Sequence, residues 1–359
     1  MKIHRVLHKI ALFASHISVP TEKFHKSWLV LSIVTLTFPV FLGCSKSEHP
    51  QDGDFTEVTH NSSVKPAVQK HQVIKGGYLD ALVFNDDHMQ RLDCYQQMEW
   101  NGQESILIGS CSGDKIVLLC ANLNQEKDFW KQYLSFSKAR EIEASIENEN
   151  RNAPVMVGVS HIKAGNNTEI SLERLSSEII LRSIKCDFSG KPYEGEPITD
   201  AKAFLTNINA TCSVLLRDEE TIDRVINHKG LLMDDIIAFE DSTLIYSVIG
   251  EIGHEVIQPD VKLIAYPNTA REETIGTPFT RLVIEGKIMG ETWYWPIDIN
   301  RGFGSTPPEG IHRNNRYIFD INIRSKGTKD PDTPVKREML ETVFEVAKWE
   351  EKEEYSVTF

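Results

Sequence analysis

The sequence predicts an all-β chain: two β-sandwich domains, the first carrying a short helical insertion. Three observations carry that reading. Short runs rich in β-branched and aromatic residues recur from Gly76 to the last residue, separated by turn residues. Helical patterns do not alternate with them, which argues against a parallel α/β sheet. Several runs alternate. In NRYIFDINI, Tyr317, Phe319, Ile321 and Ile323 share one face while Asp320 and Asn322 share the other, the pattern of a half-buried antiparallel strand.

The elements follow in order. Residues 1–43 are predicted to be a signal peptide. Trp28 to Gly43 is apolar but too short to span a bilayer, and it follows Lys2, Arg5, Lys9, Lys23 and Lys26. Phe41-Leu42-Gly43-Cys44 resembles the lipobox of bacterial lipoproteins, which implies a diacylated Cys44 as the mature N-terminus. The plainer alternative is a signal peptide followed by an ordinary cysteine. Residues 44–75 are polar and read as a tether, in which FTEVTH and HQVIK alone have strand character.

Residues 76–217 form the first predicted domain. Its runs include YLDALVF, LDCYQQMEW, ESILIGS, KIVLLCAN, EIILRSIKCDF and AKAFLTNIN. Phe129, Trp130, Tyr133 and Phe136, followed by Ile142 and Ile146, carry helical spacing and form the insertion. Residues 218–359 form the second domain. Met289-Gly290 reads as a hairpin turn between LVIEGK and TWYWPI. The last run places Tyr355, Val357 and Phe359 on one face. Such a terminal strand pairs either with its own sheet or with a neighbouring molecule.

Net charge excludes one class of partner. Removing residues 1–43, with five Lys/Arg and one Glu, takes the formal charge from −13 to −17. So acidic a chain has no general electrostatic footprint for nucleic acid. Five cysteines follow Cys44, in spacings that match no metal template, and Cys94 with Cys111 or Cys186 with Cys212 could face each other. No catalytic constellation emerges and no cofactor is expected. Gly109-Ser110-Cys111-Ser112-Gly113 copies the spacing of a nucleophile elbow, but a strand follows where the motif needs a helix. His254-Glu255 lacks the second histidine of a metalloprotease helix.

GIHRNNRYIFDINIRSKGTKDPDTPV followed by ETVFEVAKW resembles the C-terminal signature of fimbrillins, the type V pilus subunits of Bacteroidota. The matching residues are Arg313, Asn314, Tyr317, Gly327, Asp330, Pro331, Val346 and Trp349. LDALVFNDDHMQRLDCYQ, IVLLCANL and NAPVMVGVSHIKAG resemble N-domain segments of that family. The resemblance implies two transthyretin-like Greek-key sandwiches, export as an outer-membrane lipoprotein, and assembly with other fimbrial subunits by strand addition. In shaft subunits of that family an arginine-specific protease removes an N-terminal strand, and a neighbour's C-terminal segment fills the groove. Tyr355, Val357 and Phe359 are then the donated residues. No arginine lies between Cys44 and Arg91, which favours an anchor or accessory subunit that keeps its lipid. The alternative function is glycan binding, with Trp293, Tyr294, Trp295 and Trp100 as stacking platforms.

Overall fold

The computed structural model describes residues 60–67, 77–100, 106–217, 220, 225–227, 244–302, 309–335 and 339–349. The signal peptide, Cys44 and the terminal run with Tyr355, Val357 and Phe359 lie outside them. Five strands open the described chain: β1 (His60–Ala67), β2 (Gly77–Asn85), β3 (Leu92–Trp100), β4 (Ile106–Ser110) and β5 (Asp114–Ala121). Two short helices follow, α1 (Lys127–Trp130) and α2 (Phe136–Ala139), then β6 (Glu143–Ser145), β7 (Met156–Lys163), β8 (Thr168–Ser171) and β9 (Glu173–Arg174). The remaining strands are β10 (Ser177–Cys186), β11 (Ile198–Thr206), β12 (Ile208–Asn209), β13 (Thr211–Ser213), β14 (Val225–Ile226), β15 (Tyr246–Ile252), β16 (Val261–Ala265), β17 (Arg281–Ile288), β18 (Glu291–Asp298), β19 (Asn315–Ile323) and β20 (Leu340–Lys348).

Two sheets build the first half. One has the order β3-β2-β5-β7-β9 and the other β4-β1-β8. Side chains alternate across each strand, so the central strands β2 and β5 must satisfy two cores. Leu79, Ala81, Val83, Val117 and Leu119 face Ile106, Ile108 and Ile170 of the smaller sheet. Leu82, Phe84, Ile116 and Leu118 face the opposite way, onto Trp130, Tyr133, Ile142 and Ile146 of the helical insertion. This double burial is why KIVLLCA reads as a continuous apolar run.

The second half stacks β16-β10-β19-β20 on β15-β11-β17-β18. Tyr317, Phe319, Ile321 and Ile323 point into its core as the alternation predicts. The hairpin between β17 and β18 turns on Met289 and Gly290, both at positive φ, as a two-residue primed turn requires.

Four expectations need correction. First, the tether contains β1, because the backbone of HNSSVKPA is paired on both edges. Second, the boundary at 217/218 cuts through sheets. β10 pairs with β16 and β19, and β11 with β15 and β17, so both belong to the second sandwich. The chain crosses between sandwiches at Leu175-Ser176, between β9 and β10. Third, the insertion is not one helix. Ser135 caps α2 by accepting the N–H of Lys138, and β6 then pairs with β13. Fourth, β19 is antiparallel to β20 but parallel to β10.

Gly158 on β7 marks where the two sheets of the first sandwich come closest. A Cβ there would lie 2.4 Å from the Ser171 carbonyl oxygen and 2.8 Å from Ile170 Cγ2. Gly158→Ala is expected to lower unfolding free energy by about 1–3 kcal/mol, as overpacking does. Urea denaturation measures the loss, and an unchanged midpoint would refute the close approach.

Candidate assembly interface

The arrangement around β1 is unusual in how it is shared. Residues 60–64 pair antiparallel with β4, from His60 opposite Ser110 to Val64 opposite Ile106. Residues 64–67 pair parallel with β8, from Val64 opposite Thr168 to Ala67 opposite Ser171. The two halves overlap only at Val64. In this sheet β4 and β8 are therefore joined through β1 alone. Taking β1 away would strip partners from the backbone groups of both strands, and buried backbone donors and acceptors without partners are costly. Those two strands carry Ile106, Ile108 and Ile170 of the apolar layer.

A second constellation sits where the two sandwiches meet. The Arg313 guanidinium donates to the carbonyls of Val214 (2.9 Å) and Ser213 (2.6 Å) and pairs with Glu220. Asn314, in the left-handed region at φ 54°, donates to the Ser176 carbonyl (3.2 Å) and accepts the N–H of Trp349 (2.9 Å); asparagine tolerates that conformation better than most residues. Trp349 is buried, with the Arg174 guanidinium 3.9 Å over its ring. Tyr317 accepts the N–H of His312 (2.8 Å), donates to the Gly310 carbonyl (3.2 Å), and its ring stacks on Phe344. Gly327 is where β18 comes closest to the loop after β19, since a Cβ there would lie 2.0 Å from the Tyr294 carbonyl oxygen. Pro331 is buried in the turn that follows. Arg313, Asn314, Tyr317 and Trp349 thus converge at the junction, while Gly327 and Pro331 lie at the other end of β19.

Two of the residues suggested as a glycan platform are engaged by the protein itself. Trp295 is fully buried and donates its indole N–H to the Ser325 carbonyl. Trp293 is roofed by the Lys329 ammonium, 3.5 Å from its ring centroid, with Lys326 at 5.1 Å.

No protein-family model and no curated protein sequence matches the chain. Solved structures do. A Bacteroides eggerthii protein assigned to cell adhesion superposes with TM-score 0.62 at 16% identity, covering 81% of this chain and 96% of its own. A Parabacteroides distasonis protein with the same assignment gives 0.60 at 14%, covering 82% and 97%. A fimbrilin from Porphyromonas gingivalis gives 0.55 at 17%, covering 81% and 98%.

The chain has the fimbrillin fold.

Two buried carboxylates within this fimbrillin fold left no signal in the sequence. Asp80 sits on β2 among the apolar positions, bonded by Tyr95 and Gln97, and burial pushes it up to about 6 against those donors. Glu149 lies at the junction. It accepts the Val155 N–H (3.0 Å) and the Tyr266 hydroxyl (2.9 Å), so it ties the first sandwich to the second. Burial pushes Glu149 up to about 7, against the pull of those donors and of Arg174. A carboxyl whose folded value is raised binds more protons folded than unfolded. Stability therefore falls as pH rises from about 4.5 to about 7, and the cost, roughly 3 kcal/mol, is fully present above that window. Glu149→Gln keeps an acceptor for Val155 and removes the charge. Denaturant titrations at pH 5 and pH 8 are expected to show the native chain losing stability over this interval and the variant losing clearly less. Equal slopes would show that Glu149 does not titrate there.

Proposed function

We propose that this chain is a structural subunit of a cell-surface fimbria, exported as a lipoprotein acylated at Cys44 and joined to other fimbrial subunits by β-strand addition. One observation carries the reading: β1 alone connects β4 to β8, so the first sandwich holds a strand-shaped slot whose occupant is a separable N-terminal segment. A strand from a neighbour can satisfy the same edges. Each backbone hydrogen bond contributes about 1 kcal/mol net, and each large apolar side chain seated in a pocket adds about 1.5–3 kcal/mol. The terminal residues Tyr355, Val357 and Phe359 have the alternation that such a slot accepts. The fold supports the reading, since structures of the same fold include a fimbrilin and proteins assigned to cell adhesion. Those neighbours are not enzymes, in keeping with a non-catalytic role.

An anchor or accessory position fits best. Between Cys44 and Arg91 the only basic side chains besides histidine are Lys46, Lys65, Lys70 and Lys75. A cut at Arg91 would remove β2 together with β1, and β2 pairs with both β3 and β5 inside the five-stranded sheet. An arginine-specific protease therefore has no site that frees β1 and spares the core. With β1 retained, the slot stays filled, the lipid stays attached at the outer membrane, and only the C-terminal end is left to bind a partner.

Deleting residues 353–359 is expected to abolish incorporation into fibres while leaving the melting temperature of the isolated subunit within about 2 °C. Immunogold labelling and calorimetry read the two outcomes; normal fibres with an unchanged melt would remove the basis for strand donation. Mass analysis of the N-terminus from surface-recovered protein is expected to find diacylated Cys44. A start between β1 and β2 would instead identify a processed, polymer-forming subunit.

A further inference from the structure

We propose that Cys94 and Cys111 form a disulfide that fastens the β4 wall of the slot to the neighbouring five-stranded sheet. The geometry rests on how β3 and β4 run past each other. Gln96 Nε2 donates to the Leu107 carbonyl at 3.2 Å, and the N–H of Cys111 donates to Asp93 Oδ2 at 2.9 Å. These two contacts lay β3 alongside β4, and the second puts Asp93, the chain neighbour of Cys94, against the Cys111 backbone. Cys94 follows Asp93 directly in β3, which brings it to the Cys111 end of β4.

The local backbone supports this. In the β2–β3 ladder Cys94 pairs with Val83 and Leu92 with Phe84, so Asp93 is the extra residue of a β-bulge. A bulge re-aims side chains. Here Asp93 reaches the Cys111 end of β4, where it also pairs with Lys115 at 3.0 Å, while Cys94 packs against the apolar layer that contains Ile106 and Ile108. The electrostatic neighbourhood agrees: burial first, then Asp93 and Cys111, holds the Cys94 thiol above its ordinary value. The other described cysteines are of a different kind. Cys120, Cys186 and Cys212 are buried, whereas Cys94 is half-buried and Cys111 exposed.

The chemistry is thiol–disulfide exchange. The exposed Cys111 thiolate attacks a disulfide of the oxidant and releases one of its sulfurs as a thiol. The Cys94 thiolate then attacks the Cys111 sulfur of the mixed disulfide and expels the second. Two protons and two electrons leave the chain, and one oxidant disulfide becomes two thiols. The inference takes its oxidant from the proposed export, since compartments outside the cytosol keep such bonds oxidised. Its consequence is mechanical. β4 is held in its sheet by β1 alone, and the bond would give β4 a second, covalent tie to the five-stranded sheet.

The test uses the full chain, reduced and then equilibrated with oxidised and reduced glutathione at pH 8, followed by alkylation under denaturing conditions and trypsin digestion. Residues 92–115 form one tryptic peptide that holds both cysteines and no other. That peptide is expected two hydrogens lighter and unalkylated, with its halves still joined after cleavage at Glu99 or Glu104. The oxidised chain is expected to melt roughly 5 °C higher than the reduced chain, and Cys111→Ser and Cys94→Ser should each abolish the difference. A peptide carrying two alkyl groups, or glutathione on Cys111 with Cys94 alkylated, would overturn the proposal. Protein that closes the bond in the buffer but comes from cells with both thiols reduced would overturn the export reading and leave the geometry intact.

Discussion

The first sandwich depends on the hydrogen-bonding needs of two short strands. β4 and β8 carry the apolar residues that close one side of the core, yet neither pairs with the other. A strand's outward value is in its side chains, but its survival in a protein interior depends on its amides and carbonyls. Here those groups are answered by the backbone of one segment, HNSSVKPA. The slot is thus specified by its walls, and its content is a question of backbone fit. That separation between what the walls demand and what fills them makes an interchangeable strand physically reasonable.

The same separation explains what could be read from the sequence. Strand β19 was legible because Tyr317, Phe319, Ile321 and Ile323 imprint their burial as alternation. The hairpin at Met289-Gly290 was legible because a two-residue turn demands residues that accept positive φ. β1 was not, because HNSSVKPA owes its conformation to neighbours more than 40 residues away in the chain for β4 and more than 100 for β8. The insertion breaks into two helices because α1 ends at Trp130 and α2 starts anew at the Ser135 cap. Gly158 did carry a signal: a glycine inside a strand marks close approach of another backbone.

The junction was legible only as likeness. Arg313, Asn314, Tyr317 and Trp349 stand out in the sequence as a motif, but nothing in their spacing says that they seal one sandwich to the other. The structure supplies the reason. Arg313 binds carbonyls in the segment that returns to the helical insertion, and Asn314 ties Ser176, at the crossing point, to Trp349, just beyond β20. Asp80 and Glu149 lie deeper still. A carboxylate in an acidic chain carries no information by itself, and only tertiary contact distinguishes these two from the other acidic residues.

The parallel pairing of β10 with β19 carries a consequence for biogenesis. Arg182 and Asp320, which bridge these strands, are 138 residues apart. Contacts over such distances slow folding, because a long loop must close before they reward it. The second sandwich also takes its last edge strand from β20, which ends at Lys348. Every residue from β10 through β20 must therefore emerge before this half can shut. A translocation channel that admits only extended chain would find it still open, so the order in which partners appear acts as a built-in delay between synthesis and compaction.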